Sequence, residues 1–264
     1  MSWIAVSTLL LGAVLITGFV WYERTHPTTR VLALVATLAA MAALGRVAFA
    51  ALPNVKPTTD IVLISGYALG GAPGFMVGAI AALASNLFFG QGPWTPWQMA
   101  GWGGVGLFGA ALARISRGNL GRIPFALCAG AAGLGFGVVM NLHLWVTYSG
   151  DHTASKLAAT FAGSFAFDVA HAVGNMLFCL AFGPVLIRAL RRYRTRFEIT
   201  WRDTDSDLSA SRADSGSPAP SAARQAAARM APSGPSPSAD AIGSETPGDG
   251  WGSDSIRANP ARTA

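Results

Sequence analysis

Charged side chains are scarce in this 264-residue chain, where Asp, Glu, Lys and Arg together make up 12%, about half their share in a typical soluble domain. Apolar runs of about 20 residues accompany this deficit, and runs of that length span a bilayer as helices. An ordinary soluble domain is therefore excluded. The net charge of +6 comes from arginines clustered beside the apolar runs, which indicates membrane topology rather than a nucleic-acid-binding stripe.

Cysteine is also scarce, and Cys128 and Cys179 both fall inside apolar runs. We interpret them as small reduced core residues, which excludes a disulfide framework. The motifs of soluble enzymes are missing too: the sequence has no P-loop, no G-x-G-x-x-G after a strand and no H-E-x-x-H. We therefore predict that the chain is not an enzyme. Transport against a gradient would need energy from a partner or an ion.

Arginine placement predicts how often the chain crosses the membrane. Arg24 and Arg30 put the link before the second apolar run, residues 31–52, in the cytoplasm. Residues 61–89 must then cross twice, divided at 70–74, for the later arginine clusters to be cytoplasmic as well. With the remaining runs, 3–21, 97–115, 123–148 and 160–187, this gives seven crossings. The N-terminus is predicted outside and the C-terminus inside.

The sequence thus predicts an all-α, polytopic transmembrane helix bundle in the plasma membrane. Residues 1–29 form an extra N-terminal helix and link, and residues 30–198 form a six-helix core. A cleaved signal is the alternative for the first run, but no Lys or Arg precedes it and no A-x-A site follows. Residues 199–264, rich in Ser, Ala, Pro and Gly, are predicted to be a disordered cytoplasmic tail.

In this topology three polar segments, residues 53–60, 90–98 and 148–156, meet at the outer face. Aromatic surfaces with a few placed polar groups are typical of small-molecule sites, although tryptophans also gather in interfacial belts. Asp168 and His171 share one face of the last helix, where either a mutual hydrogen bond or ligand contact explains them. A metal site is disfavoured because no third ligand is evident. The candidate substrate-binding residues are Arg46, Asn54, Lys56, Asn86, Gln91, Trp94, Trp97, Gln98, Asn141, Trp145, Asp168 and His171.

Two strings of residues carry a resemblance to a known family. The strings are R-V-A-F-A-A-L-P-N-V-K-P-T at 46–58 and S-N-L-F-F-G-Q-G-P-W-T-P-W-Q-M at 85–99. They resemble the substrate-binding S-components of energy-coupling factor (ECF) vitamin transporters, and among these the cobalamin-type S-components. The resemblance covers roughly residues 30–192. It implies a six-helix protein that captures a vitamin from outside, here cobalamin, and holds no permanent cofactor.

The resemblance also implies partners. S-components dock on a transmembrane coupling protein driven by two ATPase subunits, which alone use ATP, and are thought to topple in the membrane to release their cargo. Small residues at four-residue spacing, Ala36 with Ala40 and Ala39 with Ala43, correspond to the docking surface of relatives. Spacing alone fits internal packing at least as well. The extra helix and the long tail depart from the family pattern.

Three other interpretations remain open at the level of sequence. In the first, the protein is an S-component whose ligand is another vitamin, such as riboflavin. A different class of function is an intramembrane enzyme that uses Asp168 and His171. A third is a membrane anchor for a partner protein, which would bind no small molecule.

Overall fold

The apolar stretch 61–89 is broken at Gly70, where the backbone φ of 105° lies in a region that only glycine adopts easily. The chain reverses there. A Cβ placed on Gly74 would lie 2.5 Å from the Cα of Gly66, so positions on either side of Gly70 touch. The predicted division of this stretch into two helices is therefore confirmed, and the two halves run antiparallel.

The computed structural model describes residues 3–197, and within them it contains seven helices and no strand. The prediction of an all-α chain is confirmed for this part, while the predicted tail, 199–264, lies outside the described residues. The helices are α1 (Trp3–Arg24), α2 (Thr29–Ala48), α3 (Thr58–Leu69), α4 (Gly71–Phe89), α5 (Trp94–Ile115), α6 (Arg122–Tyr148) and α7 (Ala154–Phe197).

Five of these helices, α1, α2, α4, α6 and α7, are long and apolar enough to cross a membrane. Helix α3 has 12 residues, a rise of roughly 18 Å against a hydrocarbon core of about 30 Å.

Two predicted boundaries are wrong. Residues 94–98 were expected in a loop, but α5 already begins at Trp94, directly after Pro93. Helix α7 begins at Ala154, so it takes in the end of the predicted loop 148–156.

The short helix α3 is the centre of the bundle, and every residue from Thr58 to Ala68 is buried. Helices α4 and α5 approach it very closely through glycines. A Cβ on Gly66 would lie 1.9 Å from the carbonyl oxygen of Gly106, and one on Gly109 would lie 2.1 Å from that of Leu63. Close backbone approach of this kind is how helices pack when lipid offers no hydrophobic drive.

Helix α1 packs on α4, α5 and α6. Gly18 lies against the ring of Phe75, and Trp3 lies 5.9 Å from Trp145 between ring centroids. Most of α1 is exposed along its length, which is expected of a helix that faces lipid. Cys128 and Cys179 are free thiols. Cys179 is buried, as predicted, whereas Cys128 is only half-buried.

Candidate functional site

A cavity of about 500 Å³ lies at the end of the bundle where α2 stops and α3 and α5 begin. The second half of α6 and the N-terminal half of α7 close its other side. The cavity walls are mainly apolar and aromatic, with a few polar groups, as in typical small-molecule sites. The candidate residues that line it are Arg46, Asn54, Lys56, Trp94, Gln98, Asn141, Asp168 and His171.

Arg46, in the last turn of α2, is held in place by neutral partners. Its Nη1 donates to Ser85 Oγ and to Asn86 Oδ1, both at 2.7 Å. Its guanidinium lies 4.7 Å from the ring centroid of Phe89 and 5.0 Å from that of Trp102. These contacts fix its position by hydrogen bonds and cation–π attraction. None of them neutralises its charge.

Lys56, in the loop between α2 and α3, brings a second positive charge to the same wall. It is half-buried, and its Nζ lies 5.9 Å from the ring centroid of Phe89. The pKa of the Lys56 ammonium is lowered from its ordinary value, mainly by burial and to a lesser extent by the nearby charge of Arg46. Among the described residues, the ion pair that forms joins Lys156 to Asp151. Neither Lys56 nor Arg46 therefore has a carboxylate partner in this part of the chain.

A chain of hydrogen bonds links the α2–α3 loop to three helices through His171. Trp102 Nε1 donates to Thr59 Oγ1 at 3.1 Å, and Thr59 Oγ1 lies 2.9 Å from His171 Nε2. The other ring nitrogen, Nδ1, lies 2.9 Å from Asn54 Oδ1, and Asn54 Nδ2 donates to the carbonyl of Phe167 at 2.9 Å. A neutral imidazole with its proton on Nδ1 satisfies every donor and acceptor in this chain.

Asp168 belongs to a separate network. Its Oδ2 accepts from Asn141 Nδ2 at 3.0 Å and from Ser164 Oγ at 2.8 Å. Asn141 Nδ2 also donates to Ser164 Oγ, at 2.8 Å. The mutual hydrogen bond between Asp168 and His171, one of the two explanations from the sequence, is absent among the described residues, because each side chain has other partners.

Asn86 and Gln91 do not line the cavity: Asn86 lies behind its wall, and Gln91 is exposed. Asn86 is fully buried, and its Nδ2 donates to Thr95 Oγ1 and to Gln98 Oε1. Thr95 Oγ1 donates to Gln91 Oε1, and Gln91 Nε2 donates to the carbonyl of Leu83. These amides join α4 to α5 and orient Arg46. Their position supports a positioning role instead of the direct ligand contact expected from sequence.

Two of the predicted tryptophans also lie outside the cavity lining. Trp97 packs edge-on against His143, with 5.8 Å between ring centroids. Trp145 contacts Trp3 and His152, and its Nε1 donates to the carbonyl of Thr153. Trp145 therefore joins α6 to α1 and to the α6–α7 loop.

His143 is a cavity residue that was not among the sequence candidates. It is 1% exposed and lines the cavity, yet neither ring nitrogen has a hydrogen-bond partner in the structure. Buried polar groups normally have partners, so a ligand atom is the natural complement of this imidazole. The signal in the sequence was a histidine at membrane depth, two residues after Asn141.

Three rings stack on one another beside these polar groups. Trp102 and Phe136 stack with 4.3 Å between centroids and 21° between planes. His171 also stacks on Phe136, at 5.7 Å and 24°. These contacts give the cavity a rigid aromatic side. No group of three or more His, Cys, Asp or Glu that could hold a metal ion occurs among the described residues.

The alanines of α2 divide into two faces. Ala36 and Ala40 are exposed, whereas Ala39 is 1% exposed and Ala43 is 8% exposed. Ala39 and Ala43 are thus part of the interior, as internal packing predicts. Of the four predicted docking residues, Ala36 and Ala40 are the two that a partner can reach in this structure.

Comparison with family models, with curated proteins and with solved structures found no match for this chain. The functional argument therefore starts from the residues and geometry of the cavity.

Proposed function

We propose that this chain is the membrane-embedded binding subunit of an importer of the ECF type, and that it captures a small anionic vitamin. The observation that carries the proposal is the pair of cations, Arg46 and Lys56, on one wall of an aromatic cavity. The acid that lines the same cavity, Asp168, is bonded to Asn141 and Ser164 and forms no ion pair with either cation in the described part of the chain. Charges at membrane depth are costly unless they are paired. A carboxylate or phosphate on the ligand supplies the missing counter-ion.

The size of the cavity bears on which vitamin is bound. At about 500 Å³ it lies within the range of roughly 300–1,000 Å³ that holds most of a drug-sized molecule. Cobalamin has well over twice the atoms of such a molecule, so this cavity encloses only part of a corrinoid. The volume of this cavity alone thus favours a vitamin of riboflavin size over the cobalamin suggested by the sequence motifs. A more open concavity of about 560 Å³ adjoins it and shares four of its lining residues, Leu144, Tyr148, Ser164 and Phe167.

The distribution of arginines supports an outward-facing cavity. Arg191 of α7 donates to the carbonyl of Gly118 in the α5–α6 loop and lies over the ring of Tyr67, near the end of α3. These groups lie at the opposite end of α3 from the cavity, which Thr58 lines. By the positive-inside rule the arginine-rich end is cytoplasmic. In this proposal α2–α7 are the six-helix core, α1 is the extra helix, and the N-terminus is outside.

Docking on a coupling protein driven by two ATPase subunits completes the proposed transport cycle. The exposed Ala36 and Ala40 allow another helix to approach α2 closely. Helix α1 packs on α4, α5 and α6, so it leaves this face of α2 open. The extra helix is then compatible with docking.

The intramembrane-enzyme alternative has weaker support, because Asp168 and His171 line the same cavity but belong to separate hydrogen-bond networks. A catalytic acid–base pair must be within hydrogen-bond reach of each other or of a common substrate atom. Asp168 is engaged by Asn141 and Ser164, and His171 by Thr59 and Asn54. Both residues therefore organise the cavity in this proposal.

Calorimetry with the purified protein tests the proposal. The titrants are riboflavin, its 5′-phosphate, cobalamin and a set of vitamins with and without carboxylates. We expect one anionic vitamin to bind, and the Arg46→Met variant to lose that binding while the Lys156→Met variant keeps it. Absence of binding by every vitamin would overturn the proposal and favour a membrane anchor. Tight binding of cobalamin alone would retain the transporter but refute the size argument.

A further inference from the structure

A second concavity, distinct from the ligand cavity, runs along the side of the bundle between α2 and α7, with α3 as its floor. Its volume is about 950 Å³, and nearly all of its surface is apolar. On α2 it extends over residues 37–49 and on α7 over residues 178–189, a length of roughly 17 Å at about 1.5 Å per residue. We call it the lateral groove.

One charged residue, Asp60, interrupts this apolar lining. It lies in the first turn of α3 at a groove-facing position, with Pro57, Ile61 and Ile64 on the same stripe. The side chain is 4% exposed, and neither carboxylate oxygen has a hydrogen-bond partner in the structure. The N-terminal dipole of α3 favours a negative charge there, but it does not replace the missing donors. Because an ionised carboxylate is costly to bury without donors, an occupant that donates hydrogen bonds would stabilise the ionised form of Asp60.

The position of Asp60 within the groove defines the shape of that occupant. Asp60 is the third residue of α3, about 3 Å below the start of the helix. Phe49 and Phe178 meet edge to face near this end, with 5.1 Å between ring centroids. From there the groove continues towards Thr37 and Ala189. An occupant thus needs a cationic donor at one end and an apolar chain of roughly 15 Å, the thickness of one leaflet.

We propose that the lateral groove binds one bilayer lipid with a primary ammonium headgroup, of the phosphatidylethanolamine type. The ammonium donates hydrogen bonds to Asp60 at the level of the headgroups, and one acyl chain lies along the groove. A quaternary ammonium has no N–H to donate, so phosphatidylcholine is a poor substitute. Ala40 lines the groove and also belongs to the proposed docking face, so the lipid occupies the groove in the uncoupled protein.

A helix from another protein is the main alternative occupant. A basic side chain on such a helix would also satisfy Asp60, and the small residues Ala40, Gly45 and Gly183 would allow close approach. The shallow position of the acid favours a headgroup, because a lipid ammonium is present at that depth without any partner. Helix α1 is not a candidate, since it packs on α4, α5 and α6.

Native mass spectrometry of the full chain tests the lipid assignment. The protein is delipidated in a neutral detergent and mixed with equal amounts of phosphatidylethanolamine and phosphatidylcholine that carry identical acyl chains. We expect one phosphatidylethanolamine per chain, preferred on the order of tenfold, as expected for a hydrogen bond to a charged group. Asp60→Asn, which keeps the size but removes the charge, should abolish the preference. Asp151→Asn, at a side chain 80% exposed, should preserve it.

A second pair of variants tests the groove without touching the acid. Ala40→Phe fills the groove and should prevent lipid retention, whereas Ala33→Phe, at an exposed position of α2 outside the groove lining, should not. Equal retention of both lipids by the wild type, or an unchanged preference in Asp60→Asn, would overturn the proposal. So would a stable complex with a second protein that excludes both lipids and dissociates in Asp60→Asn.

Discussion

Replacing Lys56 by Met should raise or preserve the stability of the empty protein while weakening ligand binding. The ammonium is half-buried beside Arg46 and has no carboxylate partner in the described part of the chain, so it repels its neighbour until an anion arrives. Methionine keeps the apolar stem beside Phe89 and removes the charge. Opposite effects on stability and binding are the mark of a residue retained for function.

The expected magnitudes follow from these contacts. A hydrogen bond between charged partners contributes about 1.5–3 kcal/mol, so affinity for the anionic ligand should fall roughly 10- to 150-fold. The apparent melting temperature of the empty protein should stay constant or rise by about 1–3 °C. Calorimetry gives the first quantity and thermal unfolding in detergent gives the second.

The matched control is Lys156→Met, which makes the same substitution at a lysine 45% exposed and paired with Asp151 at 3.1 Å. Exposed ion pairs contribute only about 0–1 kcal/mol, so neither binding nor stability should change appreciably. If Lys56→Met destabilised the empty protein and left affinity unchanged, Lys56 would be a structural residue and the reasoning would be refuted.

Three further predictions concern the cavity and the packing around it. His143→Leu should leave the empty protein as stable or more stable, because it replaces a buried imidazole that has no hydrogen-bond partner. The same variant should bind the ligand more weakly in calorimetry, and a lower melting temperature with full affinity would contradict this. Gly66→Ala should destabilise the bundle by about 1–3 kcal/mol or more, since its Cβ would lie 1.9 Å from the carbonyl oxygen of Gly106. Gly104→Ala is the control and should be tolerated, because the space around Gly104 is open. Equal melting temperatures of the two variants would refute the close approach of α3 and α5. Ligand affinity should fall as pH rises through the lowered pKa of Lys56, which lies below the value of about 10.4 for an ordinary lysine, because the ammonium then loses its charge. In calorimetric titrations the Lys56→Met variant should lose this pH dependence. Identical pH profiles of the variant and the wild type would exclude Lys56 from the site.

The sequence predicted the helical architecture because hydropathy and glycine act locally. Apolar runs identified the long helices, and the glycines of residues 70–74 with the arginine pattern identified the reversal at Gly70. The convergence of the polar segments on one end followed from that reversal alone. Asn54, Lys56, Trp94 and Gln98 line a common cavity for this reason.

The sequence could not separate cavity residues from the residues that hold them. Asn86 is fully buried behind Arg46, because α4 packs on α5 and brings Thr95 and Gln98 within reach of its amide. Hydrogen bonds such as that between Thr59 and His171, 112 positions apart, depend on tertiary packing and leave no periodic signal.

The most direct measurement is the identification of the small molecule that leaves the protein when it is purified gently from membranes and then denatured. Mass spectrometry of the released fraction should reveal one anionic compound of riboflavin-like size, close to one molecule per chain. The Arg46→Met variant, prepared in parallel, should release little of it. An equal or empty fraction from both proteins would contradict the proposal that Arg46 and Lys56 await an anionic ligand.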